Sequence, residues 1–384
     1  MSTPLARWKA APLAVRATAL AAGLAGALLA AELVARSLAP QLPSWTRDET
    51  VVLTGHPTRL WGLGPGVQLN AGEDATIGDH GLRGAFPELP RPADRERILV
   101  LGDSSFFGHG VPDDETLAVH LANGLSRRGV ALDTVNGAVP GYSLAQSTIL
   151  MDELGWSLEP TLVVVANLWS DNTWDAFADE DLLATRSLAT HNPLVHSAAF
   201  RLLATFLAAG AGERVVMVRA RDSWPSDTVR RVPPQRYGEL LDALVREAAA
   251  REIGVALLSP TNRDLVEPDP GAPSPSDVYR EVQRRVAEHH DLPLADVTPP
   301  FQGVARAHAV DQLFVDALHP SGAGQRIMAD TLATTLKRAG WPRERLVATG
   351  GPMDFSAVDD PHTPQVGGNA SLQRHLFDAI GGSQ

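Results

Sequence analysis

Three side chains in this sequence have the types and order that nucleophilic catalysis needs. Ser104 lies within ILVLGDSSFFGHGV, where an apolar run stops at a glycine, an aspartate and two serines. A serine hydroxyl is a weak nucleophile until a neighbouring base takes its proton. Far downstream, FVDALHPSGAG carries Asp316 and His319 three positions apart. In a turn, that spacing lets the carboxylate accept from one ring nitrogen of His319 and leaves the other nitrogen for Ser104. Each residue also has a plainer reading. Ser104 can be a turn serine, and His319 a surface histidine beside a helix-capping acid. No further residue near Asp316 in the sequence offers metal-ligand spacing, so neither a metal nor a cofactor is expected.

Acyl chemistry also needs donors for the charge that develops on the carbonyl oxygen. VNGAVPGYS supplies Asn136, Gly137 and Gly141, and ANLWSDN supplies Asn167, Asp171 and Asn172. A glycine lets the backbone approach a ligand closely. Pro140-Gly141 reads equally as an ordinary turn. Trp169 and Trp174 either stack on a sugar or pack in the core. The basic run of Arg219, Arg221, Arg230 and Arg231 either meets an anionic substrate or is a solvated surface.

The elements around these blocks must hold them together. RILVLG is a short apolar run, the pattern of a strand buried on both faces. ETLAVHLANGLSRRG follows as a helix with Leu117, Leu121 and Leu125 on one stripe. LDTVNG, TLVVVANLW, GVALLSP and LPLADV read as further strands, separated by helical patterns. The last helix starts after Ser321, a candidate N-cap. Five strands alternating with helices predict a three-layer α/β/α domain around a parallel sheet. Ligands in such sheets sit beyond the carboxyl ends of the strands, where Ser104 falls.

Charge and composition narrow the partners. A formal net charge of -12 repels polyanions, so nucleic acid is not expected. The chain has no cysteine, which excludes disulfides, thiolate zinc sites and a Cys nucleophile. Residues Ala17–Ala35 are apolar except for Glu32 and follow Arg7, Lys9 and Arg16. About 20 such residues span a bilayer as one helix, and basic residues before it hold that end in the cytoplasm. A signal-anchor is the leading expectation, with a cleaved signal peptide and a soluble Ala-rich helix as alternatives. The expected organisation is a stub and transmembrane anchor over 1–37 and an irregular, partly β segment over 38–96. The main domain then covers 97–342, and a Gly/Pro-rich tail 343–384. The apolar stretch HSAAFRLLATFLAAGAG is expected to pack on the core.

Taken together the blocks resemble the SGNH, or GDSL, hydrolase superfamily. Gly102-Asp103-Ser104, Asn136 to Gly141, the region at Ser170-Asp171-Asn172, and Asp316 to His319 match its four blocks in order. The resemblance implies a flavodoxin-like sheet with Ser104 as nucleophile, His319 as base and Asp316 as its orienter. It also implies oxyanion donors from the Ser104 and Gly141 amides and a third-block side chain. The family reads Gly-Asn-Asp where this chain reads Ser170-Asp171-Asn172. Asn172 is the expected donor, with Asn167 as the alternative. An ionised Asp171 there would repel an oxyanion. The N-terminal helix, the GLRG at Gly81–Gly84 and the RVPP at Arg231–Pro234 are similar to those of anchored envelope members. Some of these are linked to acyl groups on surface polysaccharides. The function implied is an esterase acting outside the inner membrane on acyl, for example O-acetyl, esters of polysaccharide or lipid. An O-acyltransferase and a catalytically weak glycan- or lipid-binding protein are the alternatives.

Overall fold

The computed structural model describes residues 12–38, 44–45, 51–56, 58–175, 178–184, 197, 199, 229–268, 274–306 and 309–360. Two compact units divide the chain. The smaller contains α1 (Leu13–Leu38), whose Leu13–Arg36 stretch is long and apolar enough to cross a membrane. Within this unit, Glu32 accepts hydrogen bonds from the Ser197 hydroxyl and the Ala199 amide, and pairs with Arg36. Most of the apolar stretch that contains these two residues, together with Arg219, Arg221 and the chain beyond residue 360, lies outside the described residues.

The larger unit opens with a short strand at Ser44–Trp45, paired antiparallel with the first strand of the two hairpins that follow. β1 (Leu53–His56) pairs with β2 (Leu60–Leu63), and β3 (Gly66–Asn70) with β4 (Glu73–Ile77). These strands share the core: Trp61, Leu63, Ala75 and Ile77 are buried in the same cluster as the central sheet. Arg83 bridges Ile77 on one side and Asn136 on the other, which ties the second hairpin to a central strand.

The central sheet has five parallel strands. They are β5 (Glu96–Leu101), β6 (Leu132–Asn136), β7 (Leu162–Val165), β8 (Gly254–Ser259) and β9 (Leu294–Asp296), in the order β9-β8-β7-β5-β6. β7 and β8 are buried along their whole length, which explains their unbroken apolar sequences. Counted from β5, the order is 2-1-3-4-5, the flavodoxin-like arrangement, and its switch point falls between β5 and β7. The short α2 (Ser104–Phe107) follows β5, and α3 (Leu117–Ser126) packs on α9 (Gly322–Arg338). α4 (Leu144–Leu150), α5 (Pro234–Ala250) and α7 (Asp277–His290) pack in succession, while α6 (Arg263–Val266) packs on α8 (Thr298–Ala305). Ser321 caps α9, its hydroxyl accepting from the Gly324 amide. Residues 343–360 lie along the domain, with Phe355 buried against Gly238 and Arg230 paired to Asp360.

Candidate active site

The site forms where β5 and β7 end. Asp103, fully buried, joins the two ends. One carboxylate oxygen accepts from the Ser105 amide and so caps α2, and the other accepts from the Trp169 and Ser170 amides. Burial pushes the Asp103 pKa up, against the pull of these three amides. Ser104 is thereby placed on the first residue of a helix fixed at both the β5 and β7 edges. Its own amide occupies the first helical position, which has no intrahelical acceptor.

The Ser104 hydroxyl lies 2.7 Å from Nε2 of His319. Nδ1 of His319 lies 2.7 Å from the Asp316 carboxylate. The other Asp316 oxygen accepts from the backbone amides of Leu318 and His319, both at 2.7 Å. This local turn is the reason an Asp-x-x-His spacing suffices: the acid folds its own chain back toward the imidazole. Half-burial disfavours the Asp316 charge. The His319 bond, the His319 charge and the two amides outweigh it and hold the carboxyl well below the usual range. A hydroxyl, an imidazole and a carboxylate in this order can pass a proton from serine to histidine while the acid fixes the tautomer.

A second histidine, which sequence reasoning overlooked, stands beside the first. The His109 ring packs on that of His319 with centroids 4.2 Å apart. Burial, then the His319 charge, push the His109 pKa down to about 4, so its ring is neutral at neutral pH. His109, Asp316 and His319 bring three ligating groups within 4.8 Å of one another. Both His319 nitrogens are engaged by Ser104 and Asp316, so a cation would have to take the imidazole out of this chain. The only signal for His109 was its place five residues after Ser104.

The donor candidates separate clearly. The Gly141 backbone adopts φ +79, and its amide donates to no group among the described residues. Asn136 is a strut rather than a donor to the site: its amide nitrogen reaches the Phe106 and Phe107 carbonyls. Gly137 sits where a Cβ would meet Leu99 at 2.9 Å and the Val100 carbonyl at 3.1 Å, so close packing accounts for it. Asn167 is fully buried and spends its amide hydrogens on the Tyr142 carbonyl and the Ser147 hydroxyl. Asp171 is fully buried and accepts from the Leu144 amide at the start of α4. Burial pushes its pKa up to about 8, so at neutral pH it is largely uncharged. The repulsion expected from an ionised Asp171 is therefore relieved. Asn172 gives its side-chain oxygen to Arg230 and makes no hydrogen bond to Ser104 or His319.

The two arginines of the basic run that are described are buried ion-pair partners. Arg231 binds Asp179 through two nitrogens at 2.9 and 2.7 Å, and Arg230 pairs with Asp360 and stacks over Trp174 at 4.2 Å. Trp174 and Trp169 are buried, so packing explains them.

Buried polar side chains brace the Ser104 loop. α2 is so short that its carbonyls need outside donors. Arg83 donates to the carbonyls of Phe107, Gly108 and Val111, and Asn70 to those of Gly108 and Val111. Gln325 on α9 donates to the Ser105 carbonyl and accepts from the Leu117 amide, linking the Ser104 and His319 elements.

A five-stranded α/β/α domain with a serine at its switch point defines a class of hydrolases. Residues 100–327 match the GDSL-like lipase/acylhydrolase family, and the chain belongs to it. It is accordingly an ester-bond hydrolase. No curated protein matches the chain. Among solved structures, LAE5, an alpha/beta hydrolase from the metagenome of Lake Arreo, Spain, is 20% identical, with a TM-score of 0.41 and coverage of 63% of this chain and 95% of its own. The lipase/acylhydrolase of Enterococcus faecalis is 15% identical, with a TM-score of 0.41 and coverage of 64% and 96%. The acetyl xylan esterase AlAXEase is 13% identical, with a TM-score of 0.41 and coverage of 62% and 99%. At these values the assignment rests on the family match.

Proposed function

We propose that this chain is a membrane-anchored serine esterase of the cell envelope that removes a small acyl group, such as acetyl, from a polysaccharide or lipid. The observation that carries the reading is the pair of 2.7 Å contacts linking Ser104 to His319 and His319 to Asp316. In this mechanism the Ser104 oxygen attacks the acyl carbonyl while His319 takes its proton. Asp316 orients the imidazole and stabilises its charged form. The Ser104 and Gly141 amides hold the oxyanion, with the side-chain amide nitrogen of Asn172 as the third donor. His319 returns its proton to the leaving alcohol, and water then attacks the acyl-enzyme to release the acid. Asp316 is exposed and the His319 side chain largely covered, an arrangement that admits water as the acyl acceptor. The exposed α1, following Arg7 and Lys9, supports an anchor with the hydrolase unit on the extracytoplasmic side.

The test is hydrolysis of p-nitrophenyl acetate by the full chain in detergent micelles. Ser104→Ala should lower the rate about 10³-fold or more. Equal rates for the two proteins would refute the esterase reading. Extraction of the intact chain from membranes by high salt alone would refute the anchor.

A further inference from the structure

We infer that Trp61 is a positioning residue that aims the Gly141 amide at the reacting carbonyl oxygen. The inference rests on the esterase reading and adds to it a residue well before the family-matched span. Trp61 lies on β2, and its indole N–H donates to the Pro140 carbonyl at 3.0 Å. The peptide joining Pro140 to Gly141 is trans. In a planar trans peptide the C=O and N–H point in opposite directions. The bond from Trp61, added to the local turn that the Tyr142 amide closes on the Val139 carbonyl, therefore holds the direction of the Gly141 N–H, which is away from the indole. A hydrogen bond on the carbonyl also polarises the same peptide and makes its N–H a stronger donor.

The next carbonyl is held as well. The Gly141 oxygen accepts from Arg231 at 2.8 Å, and Arg231 is itself clamped by Asp179. With the carbonyls on both sides of its Cα anchored, residue 141 stays at φ +79, a conformation that favours glycine. A Cβ there would lie 3.1 Å from Cζ2 of Trp61, so the indole and the glycine are matched surfaces. Trp61 cannot easily move. The Tyr142 hydroxyl donates to its carbonyl at 2.5 Å, the Tyr142 ring meets its edge at 5.9 Å, and the Arg231 guanidinium covers its ring at 5.5 Å. Trp61 is nearly fully buried, and among the described residues no hydrogen bond joins it to Ser104, His319 or Asp316. Its effect reaches catalysis only through the 140–141 peptide.

The experiment compares wild type, Trp61→Phe and Ser104→Ala as full chains in micelles. Losing an oxyanion donor outright costs about 10²–10³ in kcat, and a misaimed one less, so Trp61→Phe should lower kcat about ten-fold with KM within about two-fold. Affinity for a trifluoromethyl ketone, which forms a tetrahedral oxyanion on the serine, should fall by the same factor. A simple packing role would not couple these two readouts. Should Trp61→Phe fail to fold, benzothienylalanine at position 61 keeps the shape and removes only the N–H, and the same losses are expected. Wild-type kcat and wild-type ketone affinity in whichever variant folds would overturn the inference. If wild type is no faster than Ser104→Ala, it is the esterase reading that fails. The Gly141 amide resonance then decides the positioning claim, which is overturned if that resonance is the same with and without the indole N–H.

Discussion

The two sides of the pocket are built differently. On the side of Ser104, His319 and Asp316, the closest constraints come from neighbours in sequence, while Asn70, Arg83 and Gln325 brace the Ser104 loop from afar. Asp103 caps the helix that starts at Ser104, and Asp316 turns its own chain through the Leu318 and His319 amides. On the side of Gly141, a local turn, closed by the Tyr142 amide on the Val139 carbonyl at 3.0 Å, is held from outside as well. Trp61 and Arg231, both some 80 to 90 positions away, hold the flanking carbonyls. Reactive side chains can thus be carried by short motifs, whereas the aim of a backbone donor draws on distant elements as well as on its own turn.

Four variants break or sharpen this contrast. The largest effect belongs to the local side. Asp316→Asn should keep the fold and lower kcat about 10³–10⁴-fold, because the imidazole loses the partner that fixes its tautomer. Steady-state kinetics beside a thermal melt would show it, and near-wild-type kcat would mean that the Asp316 contact is decorative.

Arg231→Ala probes the distant side through stability. It leaves the buried Asp179 without its cation, and unfolding in urea should become easier by about 3–5 kcal/mol. A loss below about 1 kcal/mol, the range of exposed pairs such as Arg236 with Glu180, would show that the clamp is not needed.

Gly141→Ala should cost kcat about 100-fold, the scale of one lost oxyanion donor, since the new methyl meets both an unfavourable φ and the Trp61 ring. An Ala variant with full activity would place the donor elsewhere.

The smallest effect is a change in pH dependence. Burial raises the Asp171 pKa to about 8 in the folded protein, against an ordinary carboxyl value of 3.8. The folded state therefore keeps a proton that the unfolded chain releases. The stability this contributes is complete below the unfolded pKa and is lost as pH rises through about 8. Asp171→Asn should match wild type near pH 4 and melt at a higher temperature near pH 9. Parallel melting curves across that range would mean Asp171 is already ionised in the folded protein.

Much of the scaffold was legible. RILVLG, TLVVVANLW and GVALLSP mark the three central strands because buried strands need unbroken apolar runs, and LDTVNG and LPLADV mark the two partly exposed edge strands. Ser321 was readable as a cap because capping is a contact between close neighbours. Ser104, Asp316 and His319 were readable for their chemistry and order. The bracing residues were not. Trp61 acts on Pro140, Arg83 on Phe107 and Gln325 on Ser105, and nothing in the local pattern of any of them marks such a partner. Arg230 and Arg231 illustrate the same limit from the other side. Their sequence suggests a basic surface, while their acids come from distant parts of the chain, Asp179 from a helical stretch over 179–184 and Asp360 from the segment after α9. Asp171 looked like a misplaced charge because burial, which neutralises it, is a tertiary property.

The support that Asn70 and Arg83 lend to the Ser104 loop sets a limit on how far this enzyme can be shortened. A fragment trimmed to the family-matched span would start at Val100, inside β5, and would discard both side chains. The Gly108 and Val111 carbonyls would lose the buried donors they now share, five residues or fewer from the nucleophile's helix. Limited proteolysis between the second hairpin and β5 should therefore silence the enzyme while every motif residue is still present. A minimal working domain has to begin near Val51.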